Sequence, residues 1–505
     1  MSVVKLLDNS ASRYPDKTAV IDDENRISYK DFQQISKSVG SYILNKGYQP
    51  NSPILVYMKK GWQEVSSFMG ILYSGNYYVP IAFDMPVSRI EKIAENLSPV
   101  LIITDAECYE NVQASSELKN IDCVIFGSIS ETKIDEKKIA LALKSVIDTD
   151  PVYIMYTSGS TGVPKGVVVT HRGVRDYAEW TTTEFGFTKD DIFGNQAPFY
   201  FDNSIFDIYS ALLVGATMVI IPEVLFNFPL KLPQYLRDMD ITVIFWVPTV
   251  MINIANSGAL EGIEMPSLKK VLFCGEVMPN TQLNIWRKHF PDLMYANLYG
   301  PTEITDVCMY YVVDREFNNS DPLPIGKACR NMRFTILNDE DKIAKTNEVG
   351  ELCVSGSGVS LGYYNNPDTT AKVYIQNPVN STFTERFYRT GDLAYVNDEG
   401  LVIFIGRKDS QIKIKGNRVE LGEIENAAMC VPDVEGACAV YDAEKIQIVL
   451  FVESKAELKL RTFNNLLKAY IPKYMLPSKL IVMDKFPHTA NDKIDRVTLK
   501  KMIND

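Results

Sequence analysis

The chain has 505 residues, 46% of them hydrophobic and 23% charged, the make-up of an ordinary globular protein and not of a largely disordered one. That length exceeds what a single hydrophobic core supports, so at least two domains are expected. The 63 acidic and 52 basic residues leave a net charge of −11, which disfavours nonspecific nucleic-acid or anionic-membrane binding and makes small molecules the expected partners.

The opening stretch MSVVKLLDNSASRYPDK lacks a charged segment followed by a sustained apolar one, and nowhere do about 18 apolar residues run together. Neither a signal peptide nor membrane insertion is expected, and the location is read as cytoplasmic. Eight cysteines show no CxxC pair and the three histidines are scattered, which leaves no zinc pattern and points to reduced thiols.

In chain order, the apolar run VYIMY at 152–156 predicts a buried strand and leads into YTSGSTGVPKG at 156–166. Glycines there let backbone N–H groups approach an anion, Ser and Thr add donors, and Lys165 adds a cation, all suited to phosphate. Pro164 before the lysine and Gly166 after it exclude a Walker A loop, and a plain solvated turn remains the bland alternative. The segment FDNSIFDIY at 201–209 starts an apolar-periodic helix, on which Asp202 is either a helix N-cap or a buried charge partner. TMVII at 217–221, TVIFWVP at 242–248 and KKVLFCG at 269–275 predict further buried strands, interleaved with helix-like stretches such as TQLNIWRKHF at 281–290. This is the pattern of an α/β domain. From about residue 320 the runs shorten and glycines punctuate them, which predicts a β-rich subdomain. After GRKDSQIKIKG at 406–416 come a helix signal at 420–430, strand signals at 436–442 and 446–454 and a helix-like stretch at 460–471. They make a small α+β unit of about 95 residues. The division expected is therefore 1–408 and 409–505, with Asp409 at the entrance to the second part.

Read together, ISYKDF at 27, LYSGNYYVPI at 72, the loop at 156, FDNSIFDIY at 201, NLYGPTE at 297, GELCVSG at 350, YRTGD at 388, GRKDSQIKIKGNRVELGEIE at 406, IPKYMLP at 471 and NDKIDR at 491 resemble the adenylate-forming superfamily. The resemblance covers nearly the whole chain and is strongest to its amino-acid adenylation branch, which includes D-alanine–carrier protein ligases and nonribosomal peptide synthetase adenylation domains. It implies ATP and Mg²⁺ as cofactors and attack of a carboxylate on the α-phosphorus of ATP, an anion approaching a polyanion, so charge cancellation and alignment matter more than proton transfer.

The resemblance also implies roles. Lys165 and the loop Thr157, Ser158, Gly159, Ser160, Thr161 and Gly162 hold phosphates. Tyr299 lies against adenine, with Asn297, Gly300 and Thr302 in the same motif, and Glu303 holds Mg²⁺. Taken alone, Tyr299 reads rather as a core aromatic ending a strand and Glu303 as a first-turn helix carboxylate. Asp392 accepts from both ribose hydroxyls and Arg407 adds donors to ribose or phosphate, although TGD by itself is plain turn chemistry. Lys493 bridges the substrate carboxylate and the α-phosphate, with Asp492 where the family more often has glycine. Asp409 is the hinge about which the small domain rotates.

By the same resemblance the substrate pocket is lined by Asp202, Asn203, Phe206, Phe245, Leu272, Cys274, Leu298, Asp306 and Val307. Asp202 meets an α-ammonium and Cys274 crowds the place of an L side chain. A small amino acid is expected, D-alanine first and serine next, while Asn203 and Asp306 depart from the D-alanine pattern and Asp306 suits a polar or cationic side chain. The alternatives are another amino acid and, against Asp202, acyl-CoA ligation. No GxxS-like carrier start follows residue 493 and no HHxxxDG is present, so the expected recipient is the phosphopantetheine thiol of a separate carrier protein.

Overall fold

The computed structural model describes residues 2–23, 25–158, 164–409, 411–414, 416–443, 445–487 and 494–503. The chain is mixed α/β and divides into two compact units. The larger comprises residues 1–83, 97–155 and 166–408, and the smaller comprises 84–96, 156–165 and 409–505.

In the larger unit a nine-stranded sheet has a parallel middle. Its strands run Met294–Tyr299, Lys270–Cys274, Val243–Trp246, Ile192–Asn195, Thr217–Ile220 and Thr18–Asp22, with antiparallel partners at both edges. Parallel strands covered on both faces read as unbroken apolar runs, which is why VIFW and VLFC carry no polar alternation. The two faces still separate by the period of two. Phe245, Leu272, Cys274 and Leu298 enter one core, while Ile244, Trp246, Val271 and Phe273 enter the other. Register sets Phe245 beside Leu272 and Cys274 beside Leu298. Helices His171–Phe185 and Ser204–Val214 contribute Val174, Tyr177, Ile205 and Phe206 to the first core.

A second sheet has six strands, in the order Cys123–Ile125, Leu101–Thr104, Pro53–Tyr57, Tyr77–Ile81, Pro151–Thr157 and Lys165–Thr170. The β-rich part is five-stranded, and its Arg386–Val396 and Val402–Arg407 strands set Asp392 opposite Arg407.

In the smaller unit the hairpin Gln411–Ile414 and Asn417–Glu420 precedes helix Leu421–Ala428 and the three-stranded sheet Gly436–Asp442, Gln447–Glu453 and Lys479–Met483. Ile424, Ala428, Leu450, Phe463 and Leu467 share its core. Helix Val87–Leu97 supplies Arg89, which forms a buried ion pair with Glu423, and Lys473 pairs with Asp84 at 3.0 Å. No helix among the described residues is long and apolar enough to cross a membrane.

Candidate active site

Asp202 lies just before helix Ser204–Val214, whose N-cap is Asn203 with no side-chain cap bond. Asp202 Oδ1 accepts the neighbouring Asn203 N–H at 3.1 Å. The carboxylate is only 7% exposed, and its charge acts on the buried Tyr153 phenol. Asn203 is buried too, and its Nδ2 has no hydrogen-bond partner among the described residues. Phe206 stacks on Phe245 with ring centroids 4.3 Å apart. Leu272, Cys274, Leu298 and Val307 belong to the same core, and all four are buried. Phe206, Phe245, Leu272, Cys274, Leu298 and Val307 thus share one core, and Asp202, Asn203 and Asp306 are the buried polar members of the sequence-derived set.

The stretch after Tyr299 turns sharply. Thr305 and Asp306 take positive φ of 65° and 69°, and Gly300 lies so close beneath them that a Cβ would meet the Asp306 carbonyl oxygen at 2.1 Å. This turn buries Asp306, whose carboxylate accepts the Tyr177 hydroxyl. Burial, then Asp306, holds the Tyr177 phenol well above its usual pKa.

Glu303 sits in the short 3₁₀ turn Thr302–Ile304, fully buried, and Tyr363 Oη donates to its Oε1 at 2.7 Å. Among the described residues no group of three or more His, Cys, Asp or Glu side chains could hold a metal by itself. A single buried carboxylate suits Mg²⁺, which takes one or two protein carboxylates and completes its shell with substrate phosphates and water.

Tyr299, Asp392 and Arg407 converge. The Tyr299 hydroxyl donates to Asp392 Oδ2, and Arg407 Nη1 donates to Asp392 Oδ1 at 2.7 Å and to the Thr390 carbonyl at 3.0 Å. Burial, then Asp392, raises the Tyr299 phenol well above its usual pKa. Asn297 uses its amide to donate to the Pro324 carbonyl at 2.8 Å, which ties its strand to the following loop.

In the smaller unit, Thr157 Oγ1 donates to the Lys165 carbonyl at 3.4 Å and Ser158 Oγ to the Arg418 carbonyl at 2.9 Å. Asp409 Oδ1 accepts the Gln411 N–H at 3.1 Å. Gly159, Ser160, Thr161, Gly162 and Lys493 lie outside the described residues.

Three tyrosines at the site escaped the sequence reading. Tyr177 and Tyr363 hold Asp306 and Glu303, and Tyr153 lies within electrostatic reach of both Asp202 and Asp306. Tyr153 and Tyr177 sit in apolar-phase runs that say only that they are buried, and Tyr363 sits in the stretch LGYYNN, which reads as a turn.

A family model described as AMP-binding enzyme matches residues 7–364, and one described as AMP-binding enzyme C-terminal domain matches 423–493. D-alanine–D-alanyl carrier protein ligase of Bacillus mycoides is 32% identical over 518 residues, covering 100% of this chain and 99% of the relative. L-proline–[L-prolyl-carrier protein] ligase of Pseudomonas fluorescens is 31% identical, with 98% of each covered. Tyrocidine synthase 1 of Brevibacillus parabrevis is 30% identical over 99% of this chain, which spans only 45% of that longer protein. Among solved structures, an artificially fused adenylation–PCP di-domain, NpsA-ThdA from Klebsiella oxytoca, shares the fold with a TM-score of 0.82 at 20% identity, covering 100% of this chain and 96% of that one. The protein belongs to the AMP-binding enzyme family, the adenylate-forming ligases that use ATP with Mg²⁺.

Proposed function

We propose that the protein activates a small amino acid as its aminoacyl-AMP and passes the aminoacyl group to the phosphopantetheine thiol of a separate carrier protein. The observation that carries the amino-acid part is Asp202, a carboxylate only 7% exposed that stands just before the helix carrying Phe206. A buried carboxylate favours a ligand that brings a cation, and an α-ammonium is that cation. The carrier is supported by the D-alanine and L-proline ligases, each named for a carrier protein and each covered almost end to end.

In the first half-reaction a substrate carboxylate oxygen bonds to the α-phosphorus of ATP, and the α–β bridging P–O bond breaks to release pyrophosphate. Lys165 and the loop Thr157–Gly162 hold the phosphates, and Lys493 spans the attacking carboxylate and the α-phosphate. Asp392 fixes the ribose, Arg407 adds donors to ribose or phosphate, and Tyr299 meets the adenine. Asp392 keeps acceptor capacity for ribose hydroxyls, because a carboxylate has about four lone-pair sites and Tyr299 and Arg407 take one each. Mg²⁺, with Glu303 among its ligands, would offset charge on the phosphates. In the second half-reaction the carrier thiolate attacks the acyl carbon and AMP leaves, after the part beyond Asp409 has turned.

Phe206, Phe245, Leu272 and Leu298 limit substrate size, and Cys274 restricts the side on which an L side chain would lie. D-alanine is the leading candidate, supported by the relatives named as D-alanine–D-alanyl carrier protein ligases. The test is ATP–pyrophosphate exchange with each amino-acid enantiomer, with carboxylic acids lacking an amine, and with no acid. Exchange driven by an amino acid is expected. Exchange driven equally well by an acid without an amine would overturn the reading.

A further inference from the structure

The strand Arg386–Val396 bulges where Asp392 stands. Its register against strand Gly350–Gly356 pairs Leu393 with Glu351 and Arg389 with Cys353, so residues 390–392 face Leu352 alone. A bulge re-aims its side chains and leaves its own backbone groups to find other partners. Gly391, at a left-handed φ of 73°, donates its N–H to Glu351 Oε1 at 3.2 Å. The Gly391 carbonyl accepts the Lys408 N–H at 2.9 Å, and Lys408 Nζ donates to Glu351 Oε2 at 3.4 Å, which closes a ring around Gly391. Arg389 Nε and Nη2 donate to the same Oε2 at 3.0 and 2.8 Å. Glu351 is only 7% exposed, so two cations and a backbone donor converge on a carboxylate with little water to compete. All these groups lie in the larger unit, and Lys408 is its last residue.

We infer that Glu351 is a positioning residue that holds the bulge in the shape presenting Asp392 to the ribose, and that through Lys408 it also fixes the end of the larger unit from which the part beyond Asp409 turns. The inference rests on the ribose and hinge assignments of the adenylation reading. Asp392 directly follows Gly391, so rotating the peptides on either side of Gly391 swings the Asp392 carboxylate. Arg407 and Glu351 hold the two ends of the peptide joining Thr390 to Gly391, one at its carbonyl and the other at its N–H. The next peptide is held by Lys408 at its carbonyl and by the Thr390 hydroxyl, which accepts the Asp392 N–H at 3.0 Å. Glutamine in place of Glu351 keeps the volume but loses the charge that gathers Arg389 and Lys408. Arg389 still has Asp341 at 3.1 Å, so its guanidinium is not orphaned and the variant is expected to fold.

The test is amino-acid-driven pyrophosphate exchange with ATP and with 2′,3′-dideoxy-ATP, with carrier loading measured on the same preparations. Enzymes to compare are the wild type, Glu351→Gln, Lys408→Met, Asp392→Ala and the Glu351→Gln, Asp392→Ala double variant. The wild type should prefer ATP in kcat/KM, and Glu351→Gln should narrow that preference by about tenfold. General destabilisation lowers the rate with both nucleotides alike and leaves their ratio where it was. In the double variant Glu351→Gln should add little to the KM for ATP, because both changes act through one carboxylate. Lys408→Met keeps the backbone bond to Gly391 and should lower carrier loading per unit of exchange by about threefold or more. An unmoved nucleotide ratio in folded Glu351→Gln, or its full effect persisting beside Asp392→Ala, would overturn the positioning role. Loading that stays in step with exchange in Lys408→Met would overturn the link to the hinge. A wild type indifferent to the ribose hydroxyls would instead remove the ribose assignment, and exchange with no amino acid at all would remove the adenylation reading on which the inference rests.

Discussion

The Tyr299 hydroxyl and Arg407 Nη1 hold opposite oxygens of Asp392, so that one carboxylate joins the end of a strand in the nine-stranded sheet to two strands of the β-rich sheet. Loss of the carboxylate removes the proposed ribose acceptor and also leaves a guanidinium without its partner. Asp392→Ala should therefore raise KM for ATP by about 10–100-fold, the worth of a hydrogen bond to a charged group. Tyr299→Phe keeps the ring and should cost less. An ATP titration of exchange checks both, and a Tyr299→Phe defect larger than that of Asp392→Ala would contradict the ribose assignment.

Gly300 gives a second test, because its neighbour is backbone and cannot swing away. In Gly300→Ala the new Cβ would stand 2.1 Å from the Asp306 carbonyl oxygen, so the Thr305–Asp306 turn must move. A loss of about 1–3 kcal/mol in unfolding free energy is expected, as for overpacking elsewhere, together with altered amino-acid selectivity. Unchanged selectivity in a folded variant would mean that the turn does not set the Asp306 carboxylate.

Much of this site is legible in one dimension because its parts lie in short fixed motifs. FDNS carries Asp202, KKVLFCG carries Leu272 and Cys274, and NLYGPTE carries Tyr299 and Glu303. Parallel strands with a period of two then bring Phe245, Leu272, Cys274 and Leu298 to one face. The partners that orient these groups are not legible. Tyr177 reaches Asp306 across 129 positions and Tyr363 reaches Glu303 across 60, and in the sequence the first is one more apolar-phase aromatic and the second one more tyrosine of a turn-like stretch. Nor does any local pattern reveal that residues 84–96 group with 409–505, since the Arg89–Glu423 pair spans 334 positions.

His171 carries a pH prediction. It is 2% exposed and its Nδ1 accepts the Val3 N–H at 3.2 Å, a bond that needs the neutral ring. Burial lowers its pKa from 6.5 to about 3. Between those values the unfolded chain binds a proton that the folded chain does not, so stability is fully present above 6.5 and falls as pH falls through the window. The slope from this group approaches about 1.4 kcal/mol per pH unit. Urea unfolding at about pH 7 and about pH 5 should show a smaller difference for His171→Gln than for the wild type. Equal differences would show that His171 does not titrate as its burial implies.

Lys493→Ala should reduce exchange by about 10²–10³-fold while leaving ATP binding largely intact, because a cation shared by the attacking carboxylate and the α-phosphate counts most as charge develops. Exchange near the wild-type rate in a protein that still binds ATP would remove Lys493 from the reaction.

Asp409 separates the two half-reactions. The compact-unit boundary falls between Lys408 and Asp409, and the Asp409 carboxylate accepts the Gln411 N–H at 3.1 Å, closing a local turn at the start of the following hairpin. A hinge must change φ and ψ at a few such residues, and proline fixes φ near −65° while driving the preceding residue towards extended backbone. Asp409→Pro is therefore expected to keep pyrophosphate exchange within a few-fold of the wild type, since the residues assigned to adenylation are unchanged. Thioester formation on the carrier should fall by about tenfold or more, because the AMP-bound intermediate forms but the thiol cannot be admitted. Asp409→Ala, which loses the Gln411 contact but leaves φ free, separates backbone restriction from loss of that hydrogen bond and should retain both activities. Exchange and carrier loading measured on the same preparations decide the matter: equal loss of the two in Asp409→Pro, or equal transfer defects in Asp409→Pro and Asp409→Ala, would rule out a backbone hinge at this residue.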